Sequence, residues 1–213
     1  MLFTMKTALK AAAAACVLAA SSQAISVPFL STTDDVCTTT ATVGPCQLVE
    51  INAHNAWQPA VGDAQWVSSV DSGAPGSVQV PNDAVNPFLT ITETFTLSGS
   101  GNLTFDIWAD DTARVSLNGD VKFLENTSQS TCADGIIGCE PGENGSFDWD
   151  LAAGTHTVTF EIFQIGSGPA GVMYNGNYTL DTVNVNNPVP EPGSLALLAL
   201  GLAGLGMTRK KAA

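Results

Sequence analysis

Residues 91–97 read ITETFTL, and side-chain character alternates along this stretch from one residue to the next. Ile91, Phe95 and Leu97 share one face, and three threonines share the other. A period of two is typical of a β-strand with one buried face. The same pattern recurs at residues 103–108, 114–118, 157–162, 178–180 and 183–185. The chain is therefore predicted to consist largely of β-strands.

Turn-forming residues separate these strands, at 98–101, 118–120, 153–154 and 175–176. No segment between residues 25 and 187 shows the 3.6-residue period of an amphipathic helix. Antiparallel strands with one apolar face bury that face against a second sheet. The pattern predicts an all-β antiparallel sandwich or jelly roll, with long loops at residues 31–45 and 126–146.

The composition excludes several classes of protein. The chain has 213 residues, of which 45% are hydrophobic and only 13% are charged, so it is too apolar to be disordered. Twenty glycines and eleven prolines argue against a helical bundle. The net charge of −13 argues against nucleic acid as a partner, because phosphates are bound by lysine and arginine.

Residues 1–24 have the three parts of a secretory signal peptide in the right order. Lys6 and Lys10 precede an apolar run at residues 11–20, and small residues precede a predicted signal-peptidase cleavage after Ala24. The apolar run is too short to cross a bilayer of about 30 Å. A buried N-terminal helix is the alternative, and the order of the parts favours export.

Residues 188–213 form a second terminal signal. An uncharged run, residues 193–208, lies between a proline-glutamate-proline triplet and a basic cluster: Pro190, Glu191, Pro192, Arg209, Lys210 and Lys211. An apolar run closed by basic residues predicts a single transmembrane helix with its C-terminus inside. A plain membrane anchor is one interpretation of this tail.

The order of these parts also resembles the PEP-CTERM sorting signal of exported bacterial proteins. That resemblance implies transient attachment to the inner membrane and cleavage near the triplet by an exosortase, a membrane cysteine protease. It further implies a diderm bacterium and a final place at the cell surface or in a biofilm matrix.

Removing both ends leaves a strongly acidic body, predicted as one secreted domain at residues 25–187. Residues 25–190 carry nineteen acidic side chains against two basic ones, Arg114 and Lys122, a net charge of −17. Such a body attracts cations. A solubilising acidic surface is the simpler interpretation, and binding of a divalent cation is the more specific one.

Four cysteines remain in the body, and an even number in an exported chain favours disulfides over metal thiolates. Four cysteines allow three pairings. Each pair of sequence neighbours lies in a turn-rich stretch, so Cys37–Cys46 and Cys132–Cys139 are predicted. Neither pair has the spacing of a redox or zinc motif.

Residues 105–119 read FDIWADDTARVSLNG, a strand that ends in two aspartates followed by a second strand and an Asn-Gly turn. The segment resembles a hairpin of jelly-roll carbohydrate-binding domains, among them galactose-binding-like folds and flocculin-type lectins. In those lectins the adjacent aspartates hold Ca²⁺, and the ion holds sugar hydroxyls. The resemblance implies Asp110 and Asp111 as ligands of Ca²⁺ and extracellular polysaccharide as a partner. Hairpin aspartates that accept backbone hydrogen bonds are the alternative.

Tryptophans are the second candidate for sugar contact, because an aromatic face can stack on a sugar ring. Trp108 alternates with the apolar residues of its strand and is expected to face outward; Trp57 is the other candidate. Tryptophans packed in the core are the alternative interpretation.

Signals for catalysis are weak. His54 and His156 have no neighbouring cysteine or histidine, and His156 is interpreted as a strand histidine with its hydrogen bonds satisfied. No Gly-x-Ser-x-Gly elbow occurs in the chain. We expect a non-enzymatic surface or matrix protein with weak carbohydrate binding, or a purely structural one. An envelope hydrolase is a remote third possibility, since it requires two carboxylates facing each other in a cleft.

Overall fold

The computed structural model describes residues 24–40, 45–73, 78–128, 131–132 and 135–180. Within these ranges the chain forms two antiparallel sheets and no helix, which confirms the all-β sandwich. Nearly all of the predicted signal peptide and all of the predicted sorting tail, including Pro190, Glu191, Pro192 and the basic cluster, lie outside the described residues. So does the strand predicted at 183–185.

Eleven strands occur in the described ranges: β1 Ile25–Leu30, β2 Val36–Thr39, β3 Val49–Glu50, β4 Val67–Ser68, β5 Leu89–Leu97, β6 Gly101–Asp110, β7 Thr112–Leu117, β8 Asp120–Phe123, β9 Gly145–Leu151, β10 Gly154–Phe163 and β11 Gly171–Leu180. The first sheet has the order β3-β4-β11-β6-β9, and β1 also pairs with β11. The second sheet has the order β2-β5-β10-β7-β8.

Most strands that follow one another in the chain lie in opposite sheets. The chain passes between the sheets at β1–β2, β2–β3, β4–β5, β5–β6, β6–β7, β8–β9, β9–β10 and β10–β11. The β7–β8 connection is instead a tight hairpin, in which Asn118 has a φ of 53° and Gly119 a φ of 84°. Asn-Gly is the preferred pair for such a turn, because both positions need a positive φ. This connectivity is that of a jelly-roll sandwich.

The main core lies between the two sheets. Phe29, Phe105, Phe160 and Tyr174 meet there, with ring centroids 4.4–6.2 Å apart. Backbones also approach closely within the first sheet: a Cβ atom at Gly176 would lie 2.5 Å from Phe105 Cα, so only glycine fits at this point of β11.

A second apolar cluster covers part of the outer face of the first sheet. Trp108 of β6 and Met173 of β11 pack there against Ile51, Trp57 and Trp66 of the long β3–β4 connection. Because this connection folds over β6, the end of β6 is buried on both faces. That double burial shapes the candidate site.

Two predicted loops are shorter than expected. Residues 31–45 contain the edge strand β2, and the loop predicted at 126–146 gives way to β9 at Gly145. In β9, Phe147, Trp149 and Leu151 alternate with two aspartates, which is a strand pattern that the sequence analysis missed. β1 was missed as well, because Pro28 interrupts its alternation.

Both predicted disulfides are confirmed. The Cα atoms are 5.5 Å apart in Cys37–Cys46 and 5.3 Å apart in Cys132–Cys139. The first bridge joins β2 to the segment that precedes β3, and its two sulfurs pack against the main core. The second bridge closes the loop before β9 and packs against the outer apolar cluster.

Candidate functional site

The two candidate aspartates lie where the chain crosses from the first sheet to the second. β6 ends at Asp110, β7 begins at Thr112, and a cis peptide bond joins Asp110 to Asp111. The prediction of a hairpin at this point is wrong, because β6 and β7 belong to different sheets. Both edges of β6 are already paired, with β11 and β9, so β7 pairs with β10 instead.

Backbone groups of the β10–β11 connection fix the carboxylate of Asp111. Its Oδ2 accepts hydrogen bonds from Ile165 N at 2.6 Å and from Gly166 N at 2.9 Å. The backbone N–H of Asp111 donates to Phe163 O at 3.2 Å. The aspartate therefore does accept backbone hydrogen bonds, but from a loop more than fifty residues away and not from its own turn.

Asp110 is a buried carboxyl group, with 6% of the residue exposed. Its pKa is raised to about 9, chiefly by burial and also by the hydrogen bond and negative charge of Asp111, while a hydrogen bond from the indole of Trp57 opposes the rise. When no cation is bound, Asp110 therefore holds a proton at neutral pH. A bound cation would take the place of that proton.

Four separate segments of the chain enclose a cavity of about 400 Å³ beside the aspartates. Ligand sites in proteins commonly have volumes of this order. Polar side chains and a disulfide sulfur line the cavity together with Trp57, and they come from the β3–β4, β6–β7, pre-β9 and β10–β11 connections: His54, Asp110, Asp111, Thr131, Cys132, Glu140 and Gln164.

The lysine and arginine side chains of the described residues form ion pairs with other acids. Residues 24–180 contain two basic residues, and Arg114 pairs with Glu125 at 2.6 Å and with Glu161 at 3.3 Å. The other, Lys122, lies 4.0 Å from Asp120.

The donor atoms at this point suit a hard cation better than a soft one. One oxygen of Asp110 and the sulfurs of Cys132 and Cys139 lie within 4.8 Å of one another, but the sulfurs are bonded to each other and offer no thiolate. Two carboxylates remain, and Ca²⁺ takes oxygen ligands, six to eight in number. Asp110 and Asp111 therefore fit the start of a Ca²⁺ site and do not fit a zinc site.

Trp108 points away from the main core, as its alternation indicated, but the expectation that it is open to solvent is wrong. It is 5% exposed in the outer apolar cluster, and its indole Nε1 has no hydrogen-bond partner among the described residues. The β3–β4 connection covers the face of β6 that the alternation assigned to solvent. A ring buried in this way offers no open face to a sugar.

Trp57 borders the cavity but exposes little of its ring. It is 4% exposed, and its ring centroid lies 4.4 Å from that of Trp66. Its indole N–H bonds to Asp110, a contact that sequence alone could not indicate. A sugar-stacking role for Trp57 stays a prediction.

The two histidines differ. His156 is a satisfied strand histidine, as expected: its ring nitrogens bond to Asn118 Nδ2 at 3.1 Å and to Ala152 O at 2.8 Å. His54 lines the cavity beside the aspartates, although it stands alone in the sequence. Folding of the β3–β4 connection over β6 brings it there.

A second group of acids was not recognised in the sequence. Glu93 occupies an apolar-phase position of β5, between Ile91 and Phe95, and therefore points between the sheets. Tyr174 lies with its hydroxyl 2.6 Å from Asp35 Oδ2 and 2.5 Å from Glu93 Oε1. The two carboxyl groups are also hydrogen-bonded to each other, which is closer than the separation of about 5 Å or more in glycosidases.

The sequence-family profile described as the PEP-CTERM protein-sorting motif matches residues 188–211. The chain carries this motif, as the resemblance of its tail implied, and the motif indicates an exported protein with a C-terminal sorting signal. A search of curated proteins finds no match. In the part of the chain that the structure describes, no helix is long and apolar enough to cross a membrane.

Solved structures similar to this chain include carbohydrate-binding modules. A family 35 module from Clostridium thermocellum is 11% identical, with a TM-score of 0.35 over 70% of this chain and 97% of that one. A CBM35 from Cellvibrio japonicus is 14% identical, with a TM-score of 0.32 over 66% and 92%. A GH26-CBM35 mannanase from Podospora anserina is 13% identical, with a TM-score of 0.37 over 73% of this chain and 27% of that one.

Proposed function

We propose that this chain is an exported, non-enzymatic protein that an exosortase releases at its C-terminal motif, and whose sandwich binds a polysaccharide through Ca²⁺ held at Asp110 and Asp111. Its final place is the cell surface or extracellular matrix of a diderm bacterium. The observation that carries the binding proposal is the buried aspartate pair beside the 400 Å³ cavity, where Ile165 N and Gly166 N fix the carboxylate of Asp111.

The arrangement supports binding through a shared ion. When Ca²⁺ is bound, it supplies a positive centre to which sugar hydroxyls can be ligands. Asp111 is held in place by Ile165 N and Gly166 N, so one ligand is positioned before the ion arrives. The indole N–H of Trp57 and the side chains of His54 and Gln164 border the same cavity and can orient hydroxyl groups. The acidic side chains that line it in the described part of the chain are Asp110, Asp111 and Glu140, which favours a neutral or cation-bridged glycan.

Thermal unfolding of the purified chain with added CaCl₂ tests the ion site. A ligand at a hundredfold excess over its Kd stabilises the folded state by about 2.7 kcal/mol. For a domain of this size we expect a rise in Tm of roughly 5–10 °C. The double variant Asp110→Asn with Asp111→Asn should lose this rise.

A matched control variant distinguishes binding of calcium at this site from general screening of the acidic surface by calcium. Asp148 and Asp150 lie on the exposed face of β9, and Asp148→Asn with Asp150→Asn likewise replaces two carboxyl groups by amides. This control should keep the calcium response of the wild type. Equal loss in both double variants would overturn the site at Asp110 and Asp111.

Glycan binding is tested on an array with Ca²⁺ and again with EDTA. Binding that disappears with the chelator, and in the Asp110 and Asp111 variant, is the expected result. If calcium raises the Tm but no glycan binds, the result would favour a structural matrix protein that has an ion site. Glycan binding that persists in EDTA would contradict the calcium bridge.

A further inference from the structure

A group of three side chains, distinct from the aspartate pair, joins the two sheets at an edge of the sandwich. Tyr174 of β11 belongs to the first sheet, Glu93 of β5 belongs to the second, and Asp35 lies in the connection between β1 and β2. The tyrosine hydroxyl contacts both carboxyl groups, at 2.6 Å and 2.5 Å. We call these three residues the edge cluster.

The edge cluster also fixes the β1–β2 connection. Asp35 Oδ2 accepts a hydrogen bond from Thr32 N, and Oδ1 accepts one from Thr32 Oγ1, both at 2.8 Å. Next to it, Ser31 N donates to Tyr174 O at 3.0 Å. Asp35 therefore ties the end of β1 to β11 on one side and to β5 on the other.

A shared proton keeps the cluster together. One hydroxyl hydrogen cannot satisfy two carboxylates at once, so the contact between Asp35 and Glu93 requires that one of them be protonated. Burial raises the pKa of Glu93 to about 7, and the charge of Asp35 raises it too, although the bond from Tyr174 lowers it. The two basic residues of the described part of the chain lie elsewhere, paired with Glu125, Glu161 and Asp120.

We propose that the edge cluster is a pH-sensitive clasp, which holds β1 and the β1–β2 connection closed in weak acid and loosens them above neutral pH. Ionisation of both carboxyl groups places two like charges in contact in a partly buried cleft between the sheets. The cleft of about 290 Å³ beside the cluster is lined by residues of β1, β5 and β11, so it gives those strands room to separate.

The clasp controls the edge from which both ends of the body leave. β1 begins at Ile25, next to the predicted signal-peptide cleavage, and β11 ends at Leu180, before the sorting motif at 188–211. The two strands pair along their length, from Ile25 with Leu180 to Leu30 with Asn175. Loosening this edge would free the N-terminal strand while the pairing of β11 with β6 remains.

Other titratable groups near the cluster have separate contacts. Tyr178 stacks on Phe95, and His156 bonds to Asn118 and Ala152. β1 and β2 carry no acid, base or free thiol within their bounds. The titratable side chains that line the cleft beside Glu93 are Asp35 of the β1–β2 connection and Tyr178 of β11, and Tyr174 of β11 contacts both carboxyl groups.

Hydrogen exchange of the purified chain at pH 5 and pH 7.5, corrected for the intrinsic rate, tests the clasp. If opening exposes Glu93 fully, the opening constant of residues 25–35 should rise by about fiftyfold between these pH values. At pH 7.5 the opening constant of residues 25–35 should be larger than that of a peptide covering β7, Thr112–Leu117, because a local clasp opens without unfolding of the sandwich. Equal opening constants in the two peptides would mean that both exchange by global unfolding and would overturn a local clasp.

The variant Glu93→Gln resembles the protonated acid and should keep residues 25–35 protected at pH 7.5. Asp35→Asn is the second variant, because it removes the repulsion and still leaves an oxygen for Thr32 N. Asp110→Asn is the matched control: it removes another buried acid and should leave the fiftyfold rise unchanged. The clasp is refuted if both cluster variants show the same rise as the wild type.

Discussion

At the scale of single residues, the two acids with raised pKa values decide how this protein responds to pH. Each is an acid placed among apolar groups, Asp110 at the end of β6 and Glu93 on the core face of β5. Burial favours the protonated form of each acid in the folded state. Their contributions to stability are therefore present in acid and are lost as pH rises.

The pKa of Asp110 is about 9 in the folded protein and 3.8 for the ordinary group, so its protonation differs between the folded and unfolded states across this range. Without calcium, the free energy of unfolding of the wild type should fall by up to about 1.4 kcal/mol per pH unit across this window. Asp110→Asn removes the titration, so its stability advantage over the wild type should grow from pH 5 to pH 9.

Urea unfolding in EDTA at several pH values measures this difference between the two proteins. Repeating the series with CaCl₂ provides the control, since a bound ion should restore the wild type at pH 8 and leave Asp110→Asn unaffected. Parallel pH profiles for the two proteins in EDTA would show that the Asp110 carboxyl group is not buried in solution as it is in the structure.

At the scale of elements, the two disulfides have different positions and should have different effects. The Cys132–Cys139 loop forms one wall of the cavity, where Gly138 O accepts from Ala109 N and Cys139 O accepts from Gln58 N. Cys37–Cys46 lies at the edge strand β2, away from the cavity. One bridge supports the site, and the other supports only the fold.

Replacing each cysteine pair by serine tests this difference. On the loop-entropy model either double variant should lose about 2–3 kcal/mol of stability. Only the variant at Cys132 and Cys139 should also lose the rise in Tm with calcium. Without this bridge, the loop that forms the cavity wall beside Asp110 is no longer held in place. The variant at Cys37 and Cys46 serves as its control. If the rise in Tm with calcium is unchanged in both variants, the cavity wall is not required for ion binding.

At the scale of the whole molecule, processing at both ends decides which chain operates outside the cell. The signal peptide and the sorting motif predict a mature protein that begins near Ile25 and lacks the run after Pro192. Intact-mass measurement of the protein from its native host checks both ends. Recovery of a chain that keeps Arg209, Lys210 and Lys211 would favour a plain membrane anchor over exosortase release.

The sequence by itself determined the long alternating strands β5, β6, β7 and β10, the local disulfides and the sorting motif, because each depends on residues close together in the chain. Alternation along β5 and β10 reports a buried face whatever the neighbouring strand is. The cysteines are only nine and seven residues apart, so their pairing needs no long-range contact.

Only the tertiary structure decided where the side chains of the site face and which of them meet. Trp108 followed the outward phase of its strand, yet the β3–β4 connection buries it. Asp111 meets Ile165 and Gly166, and Glu93 meets Tyr174, through pairings that join residues more than fifty positions apart. The physical reason is that alternation tells the two faces of a strand apart, whereas burial and pKa depend on what the rest of the chain places over each face.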